Sequence, residues 1–173
     1  RWWRHGFADA LRDCLYALDP VVDVGGAEAT LRSLRSVVDR YGWEQAKNLA
    51  ADSKYGTRSL LQRLGTEAGR EVLGDTIWID TLLAKLVPGG DYVVPDVRFP
   101  NEADALRSRG GLIVRLERPG YGPANPHPSE TALDDYGFDL VVVNDGTPGD
   151  LLTTVLEHLI EARSRPSHTQ VWA

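Results

Sequence analysis

Three short stretches each end an apolar run in residues able to do polar chemistry. In "VVPDVRFPNE" the run gives way to Asp96, Arg98, Asn101 and Glu102. In "LIVRLERPG" it gives way to Arg115, Glu117 and Arg118, and in "LVVVNDGT" to Asn144, Asp145, Gly146 and Thr147. Open parallel sheets bind ligands at the carboxyl ends of their strands. Acids, amides and guanidiniums brought to one rim would suit an anionic, hydrogen-bonding ligand. The plain alternative is that such residues cap helices and shape turns, and for "NDGT" both readings stand.

A fourth stretch, "LLQRLGTEAGRE", spaces Gln62, Arg63, Thr66, Glu67 and Arg70 three or four positions apart. At α-helical spacing several of them share a face. Arg63 and Arg70 lie one heptad apart and would point the same way, so that two guanidiniums could grip one phosphate. Gly65 and Gly69 would admit a ligand or another helix. The alternative is a solvated Glu–Arg network of little energetic value. Trp78 alternates with Ile77 and Ile79, either as core or as a platform for a base. His127, in "HPSE", has no second histidine at ligand spacing. Asp134 and Asp135 read most simply as turn residues.

These residues need elements to hold them. "WWRHGF" reads as the end of a strand. "ADALRDCLYAL" reads as a helix burying Ala10, Leu11, Cys14, Leu15 and Leu18, with Pro20 as its stop. "VVDVGG" reads as a turn-rich link. "AEATLRSLRSVVDRYG" reads as a helix stopped by Gly42, with "WEQAKN" adding a turn or two. "TRSLLQRLGTEAGREVLG" and "DTIWIDTLLAKLV" read as helices parted by Gly74. Further on, "DYVVPDV", "LIVRLER" and "FDLVVVND" are strands, "NEADALRSRG" and "GTPGDLLTTVLEHLIEARS" helices, and "PGYGPANPHPSE" a lid-like loop. Near-continuous Val, Leu and Ile strands alternating with helices signify a parallel sheet covered on both faces. The expectation is one α/β domain over residues 1–165, a helical insertion over about 28–87, a lid over about 118–135, and a tail over 166–173.

The 173 residues suffice for one real core. Lys+Arg 19 against Asp+Glu 25, net −6, argues against a protein that coats nucleic acid. No apolar run reaches membrane-spanning length and no secretory leader is visible, which points to a cytoplasmic setting. Cys14 is the only cysteine, which removes a disulfide framework and a cysteine-based zinc site.

Together, "GFADALRDCLYAL", "YGWEQAK", "LLQRLGTEAGRE", "GDTIWID", "DVRFPNEADALRSRGG", "RLERPG", "HPSETALDD" and "VVVNDGT" resemble, in order, the deoxynucleoside monophosphate kinases of tailed phages, a branch of the P-loop kinases. The resemblance implies a three-layer parallel sheet with flanking helices, a helical monophosphate-binding insertion and a short lid. It implies transfer of the ATP γ-phosphoryl group to a deoxynucleoside monophosphate, with Mg²⁺, in the host cytoplasm, and suggests a homodimer. It places Arg63, Glu67, Arg70, Trp78 and Asp9 with the monophosphate. Asp96 and Arg98 stand near the reacting phosphates, with Arg70 a third catalytic candidate and Asp96 a candidate to hold Mg²⁺ through water. Arg118, Asn144, Gly146 and Thr147 fall on the ATP side.

One departure matters. The family opens with the glycine loop G-x-x-x-x-G-K-[ST], and nothing here matches it. The chain opens on Arg1 and contains no methionine. The expectation is that this loop belongs upstream of Arg1, and that the chain as written is nearly inactive without it. Two rival readings remain: a nucleotide-binding or interaction module without a P-loop, and a Mg²⁺-dependent phosphohydrolase using Asp80, Asp96, Glu102, Asp134 and Asp135.

Overall fold

The computed structural model describes residues 1–26, 28, 30–122 and 131–164. It is an α/β structure in two units, Arg1–Asp96 and Val97–Ala173. His127, the middle of the expected lid (residues 123–130) and the tail lie outside the described residues.

In the first unit, β1 (Trp2–Arg4) pairs in parallel with β4 (Asp91–Val93), Trp3 opposite Tyr92. Between them lie α1 (Phe7–Leu18), the hairpin strands β2 (Val21–Asp23) and β3 (Leu31–Ser33), α2 (Leu34–Asn48), α3 (Thr57–Arg63), a π-helix (Leu64–Leu73) and α4 (Ile77–Leu83). The core gathers Leu15, Val22, Leu34, Val37 and Ala46, with Trp43, Leu60, Leu61 and Leu64 packed against it.

α1 ends where Asp19 takes a left-handed conformation (φ 49°) and Pro20 follows, which cannot donate to a further turn. Asp19 accepts bonds from the Arg35 N–H and the Ser33 hydroxyl, both 2.8 Å, and these hold its carboxyl below the usual range. The Arg35 guanidinium in turn donates to the carbonyls of Tyr16 and Ala17, placing positive charge at the α1 C-terminus.

Three local expectations need correction. "VVDVGG" is not only a link: Val22 pairs antiparallel with Arg32, so a hairpin precedes α2, which starts at Leu34 rather than near Glu28. Each strand is three residues long, too short for an alternating pattern to show in the sequence. Cys14 and Leu18 are exposed, and the buried seam of α1 runs through Phe7 and Leu15 with Leu11 partly covered. The buried face is therefore rotated by part of a turn from the one the apolar spacing predicts. α2 does break at Gly42, whose φ is 73°, before resuming through "WEQAKN".

In the second unit, α5 (Pro100–Arg107) leads to β5 (Val114–Glu117), which pairs in parallel with β6 (Leu140–Val143). β6 feeds α6 (Pro148–Ser164). Ala103, Ile113 and Val142 are buried here, with Glu102 beside them. No helix among the described residues is long and apolar enough to cross a membrane.

Candidate functional site

β4 ends and the chain reaches Asp96, whose two carboxylate oxygens accept the backbone N–H groups of Phe7 and Ala8 at 3.0 and 2.9 Å. These are free donors of the first α1 turn, positions where a carboxylate also meets the positive end of the helix dipole. The fit is tight. A Cβ on Gly6 would sit 2.7 Å from Asp96 Oδ2, so a larger residue there would push the carboxylate off its two amides. One further turn-opening N–H, that of Gly6, goes to Asp9 Oδ2 at 2.8 Å. Asp9 also lies 3.4 Å from Arg4 and 3.5 Å from Arg12. Asp96 and Asp9, both sequence candidates, thus shape the start of α1.

Arg63 is the last residue of α3, and Glu67 and Arg70 sit on the π-helix into which α3 runs. Such a helix bonds i to i+5, seen at its end where the Gly74 N–H donates to Gly69 O at 3.0 Å. It turns less per residue than an α-helix, so a heptad spacing does not return to one face. The shared direction expected of Arg63 and Arg70 is therefore corrected. Arg63 is 58% exposed and pairs with Glu67 at 3.4 Å. Arg70 is 12% exposed and donates to the Asp75 carboxylate at 3.0 Å. The period alone could not show this, because nothing in the heptad distinguishes i+4 from i+5 bonding.

Trp78 is buried, and its indole N–H donates to Gly65 O at 2.8 Å. A Cβ on Gly69 would fall 2.6 Å from the Trp78 ring. The two glycines of "LGTEAGRE" admit helix packing: Trp78 at Gly69, and Leu11 at 3.4 Å from a Cβ on Gly65. Of the two readings of Trp78, the structure displays the packed one.

In the second unit, Arg98 is exposed and precedes α5. Glu102, buried, accepts the backbone N–H groups of Arg98 and Phe99 at 2.8 and 3.1 Å. It opens the helix and fixes the backbone that carries Arg98. Arg118 lies beyond β5 with its guanidinium 4.6 Å from the Tyr121 ring centroid. At the end of β6, the Asn144 N–H donates to Glu117 O at 2.7 Å. Thr147 caps α6: its N–H and hydroxyl both donate to Asp150 Oδ2, at 2.8 and 2.7 Å. Those bonds hold Asp150 below the usual carboxylate range, the hydroxyl contributing most. A Cβ at Gly146 would meet that same oxygen at 2.8 Å.

Sequence reasoning passed over a cluster built on Arg107. It donates to the Tyr136 hydroxyl (2.7 Å), Gly137 O (2.6 Å) and Asp139 Oδ2 (3.1 Å). The Tyr136 hydroxyl donates to Asp104, and burial followed by that bond raises its pKa. Arg115 contacts Glu117 at 3.0 Å and Asp134 at 3.3 Å. The signal was faint: Asp104 and Arg107 are three apart on α5, but their partners lie about thirty residues on.

Among the described residues, no three His, Cys, Asp or Glu side chains gather as metal ligands. Asp80 accepts the Thr76 hydroxyl, Asp134 faces Arg115, and Glu102 is taken up in the α5 start. Mg²⁺ with nucleotides commonly needs one or two carboxylates and keeps several waters. Each Asp96 carboxylate oxygen keeps a second acceptor position beside the amide it receives.

Short parallel strands that run into capped helices define an α/β protein of the class that places polar groups at strand ends. Residues 7–155 match the profile of the deoxynucleotide monophosphate kinase family. The chain belongs to that family. It is 30% identical over 133 residues to a protein of Acanthamoeba polyphaga mimivirus provisionally described as a deoxynucleotide monophosphate kinase, covering 67% of this chain and 68% of that one. It is 31% identical over 109 residues to the deoxynucleotide monophosphate kinase of Enterobacteria phage T4, covering 60% of this chain and 45% of that one. A third relative, the deoxynucleoside-5'-monophosphate kinase of Escherichia phage T5, is 34% identical over 86 residues, covering 44% and 34%. The chain thus spans less than half the length of these two phage relatives.

Proposed function

We propose that the protein transfers the γ-phosphoryl group of ATP to a deoxynucleoside monophosphate, giving the diphosphate, on a fold of the P-loop-kinase type. The observation that carries this reading is the family match over residues 7–155, which contains every candidate site residue from Asp9 to Thr147.

Phosphoryl transfer asks little covalent help of a protein. It needs in-line placement and positive charge around the equatorial oxygens of the transferred group. Arg98 neutralises the charge that develops there, on a backbone fixed by Glu102. Arg63, at the end of α3, and Arg70, on the π-helix, approach the acceptor's phosphate from different directions, Glu67 orients Arg63, and Trp78 sets the π-helix in place. Asp9 belongs to the acceptor side, where it also orients Arg4 and Arg12. Arg118, Asn144, Gly146 and Thr147 form the ATP side. Bound with the nucleotide, Mg²⁺ would neutralise phosphate charge, with Asp96 as its water-mediated ligand. Otherwise Asp96 acts by fixing the start of α1 against the exit of β4.

The test is an assay of ADP formation by the protein as its gene encodes it, with and without each deoxynucleoside monophosphate. Acceptor-dependent ADP and a matching diphosphate support the reading. Free phosphate released without an acceptor identifies a phosphohydrolase instead.

A further inference from the structure

β5 and β6 form a two-stranded parallel pair of four residues each, with Val114 opposite Leu140 and Glu117 opposite Val143. A pair that short has little intrinsic stability. A slip of one residue would exchange Val142, 2% exposed, for Val141 or Val143, 47% and 51% exposed. Something must hold the register, and the Arg107 cluster stands at the entry to β6. Asp139 directly precedes β6. Its N–H donates to Ile113 O at 2.9 Å, while its carboxylate accepts the Ile113 N–H at 2.8 Å and the Arg107 guanidinium at 3.1 Å.

Arg107 does more than pair one charge. Its planar fork spans the Tyr136 hydroxyl, Gly137 O and Asp139 within four residues of chain, and its guanidinium carbon lies 4.9 Å from the Tyr136 ring centroid. An ammonium could not reproduce that planar set of bonds. At the far end of β6, which is four residues long, the Asn144 N–H donates to Glu117 O. The polar turn from Asn144 to Thr147 begins there.

We infer that Arg107 is a positioning residue: by locking Asp139 to Ile113 it fixes the register of β6 against β5, and so the place at which the turn from Asn144 to Thr147 meets ATP. This rests on the proposed kinase reading for its consequence, though not for the lock itself. Arg107 touches no reacting group. Its loss should therefore move ATP recognition and leave acceptor recognition alone.

The experiment compares Arg107→Ala and Arg107→Lys with the parent protein as its gene encodes it. Two quantities are read: amide hydrogen exchange at Ile113 and Asn144, with α2 amides as control, and the KM values for ATP and for the deoxynucleoside monophosphate. Hydrogen bonds to a charged group of this kind predict about tenfold or greater acceleration of exchange at Ile113 and Asn144 in both variants. They predict about a tenfold rise in the KM for ATP, with the acceptor KM unchanged. Unchanged exchange overturns the lock, and so does an equal rise in both KM values. If Arg107→Ala does not fold, Tyr136→Phe and Arg107→Lys carry the same comparison. A parent protein without phosphoryl transfer sinks the kinase reading, and the exchange data then decide the lock alone.

Discussion

Asp96 illustrates how one carboxylate at a strand exit can serve structure and chemistry together. Its oxygens take two α1 amides, and Gly6 is kept small so that it can reach them. Asp96→Ala leaves both donors without their partner and should lower stability by about 1–2 kcal/mol, read as a lower urea midpoint at unchanged m. Unchanged stability would show that Asp96 does not hold the start of α1. Arg98 makes the opposite prediction. It is exposed and its backbone is held by Glu102, so Arg98→Ala should leave the unfolding free energy within about 0.5 kcal/mol of the parent's. Turnover should nonetheless fall by about 10²–10³, the cost of losing a group that stabilises transition-state charge. The chemistry-bearing residue types at strand exits were legible because apolar runs end abruptly in polar residues. Their partners were not, because Asp96 meets Phe7 across 89 positions of sequence.

At the scale of elements, the π-helix is the least legible feature. Its glycines advertised close approach, and the structure supplies the neighbour in Trp78. Gly69→Ala would force a methyl to within 2.6 Å of that ring and 2.8 Å of Leu64 O. A loss of about 1–3 kcal/mol is expected, measured by thermal or urea unfolding. A neutral result would mean that the π-helix relaxes to α geometry, which would also restore the shared face of Arg63 and Arg70. The start of α6 yields a pH prediction. Asp150 is held below its usual value of 3.8 by Thr147. A carboxyl lowered in the folded state stabilises the fold fully above its unfolded pKa, and this contribution is lost as pH falls through the folded value. Stability of the parent should therefore drop faster than that of Asp150→Asn as pH falls below about 4, in paired urea titrations. Identical acid limbs would contradict the cap. Long helices and the apolar strands were readable from periodicity, whereas the hairpin of Val21–Asp23 and Leu31–Ser33 was not, since three-residue strands carry too little pattern.

For the whole molecule, the ordered motifs spread over most of the chain carried more information than any single one of them. "DVRFPNE", "LGTEAGRE" and "VVVNDGT" each had an adequate structural explanation, and the structure displays those explanations at Glu102, Gly69 and Thr147. The family match over residues 7–155 is what turns them into parts of one kinase. The most direct measurement is therefore nucleotide chromatography after incubating the protein, as its gene encodes it, with ATP, Mg²⁺ and each deoxynucleoside monophosphate in turn. Stoichiometric ADP and deoxynucleoside diphosphate should appear, and only when an acceptor is present. Phosphate release that ignores the acceptor, or no turnover with any of them, would contradict it.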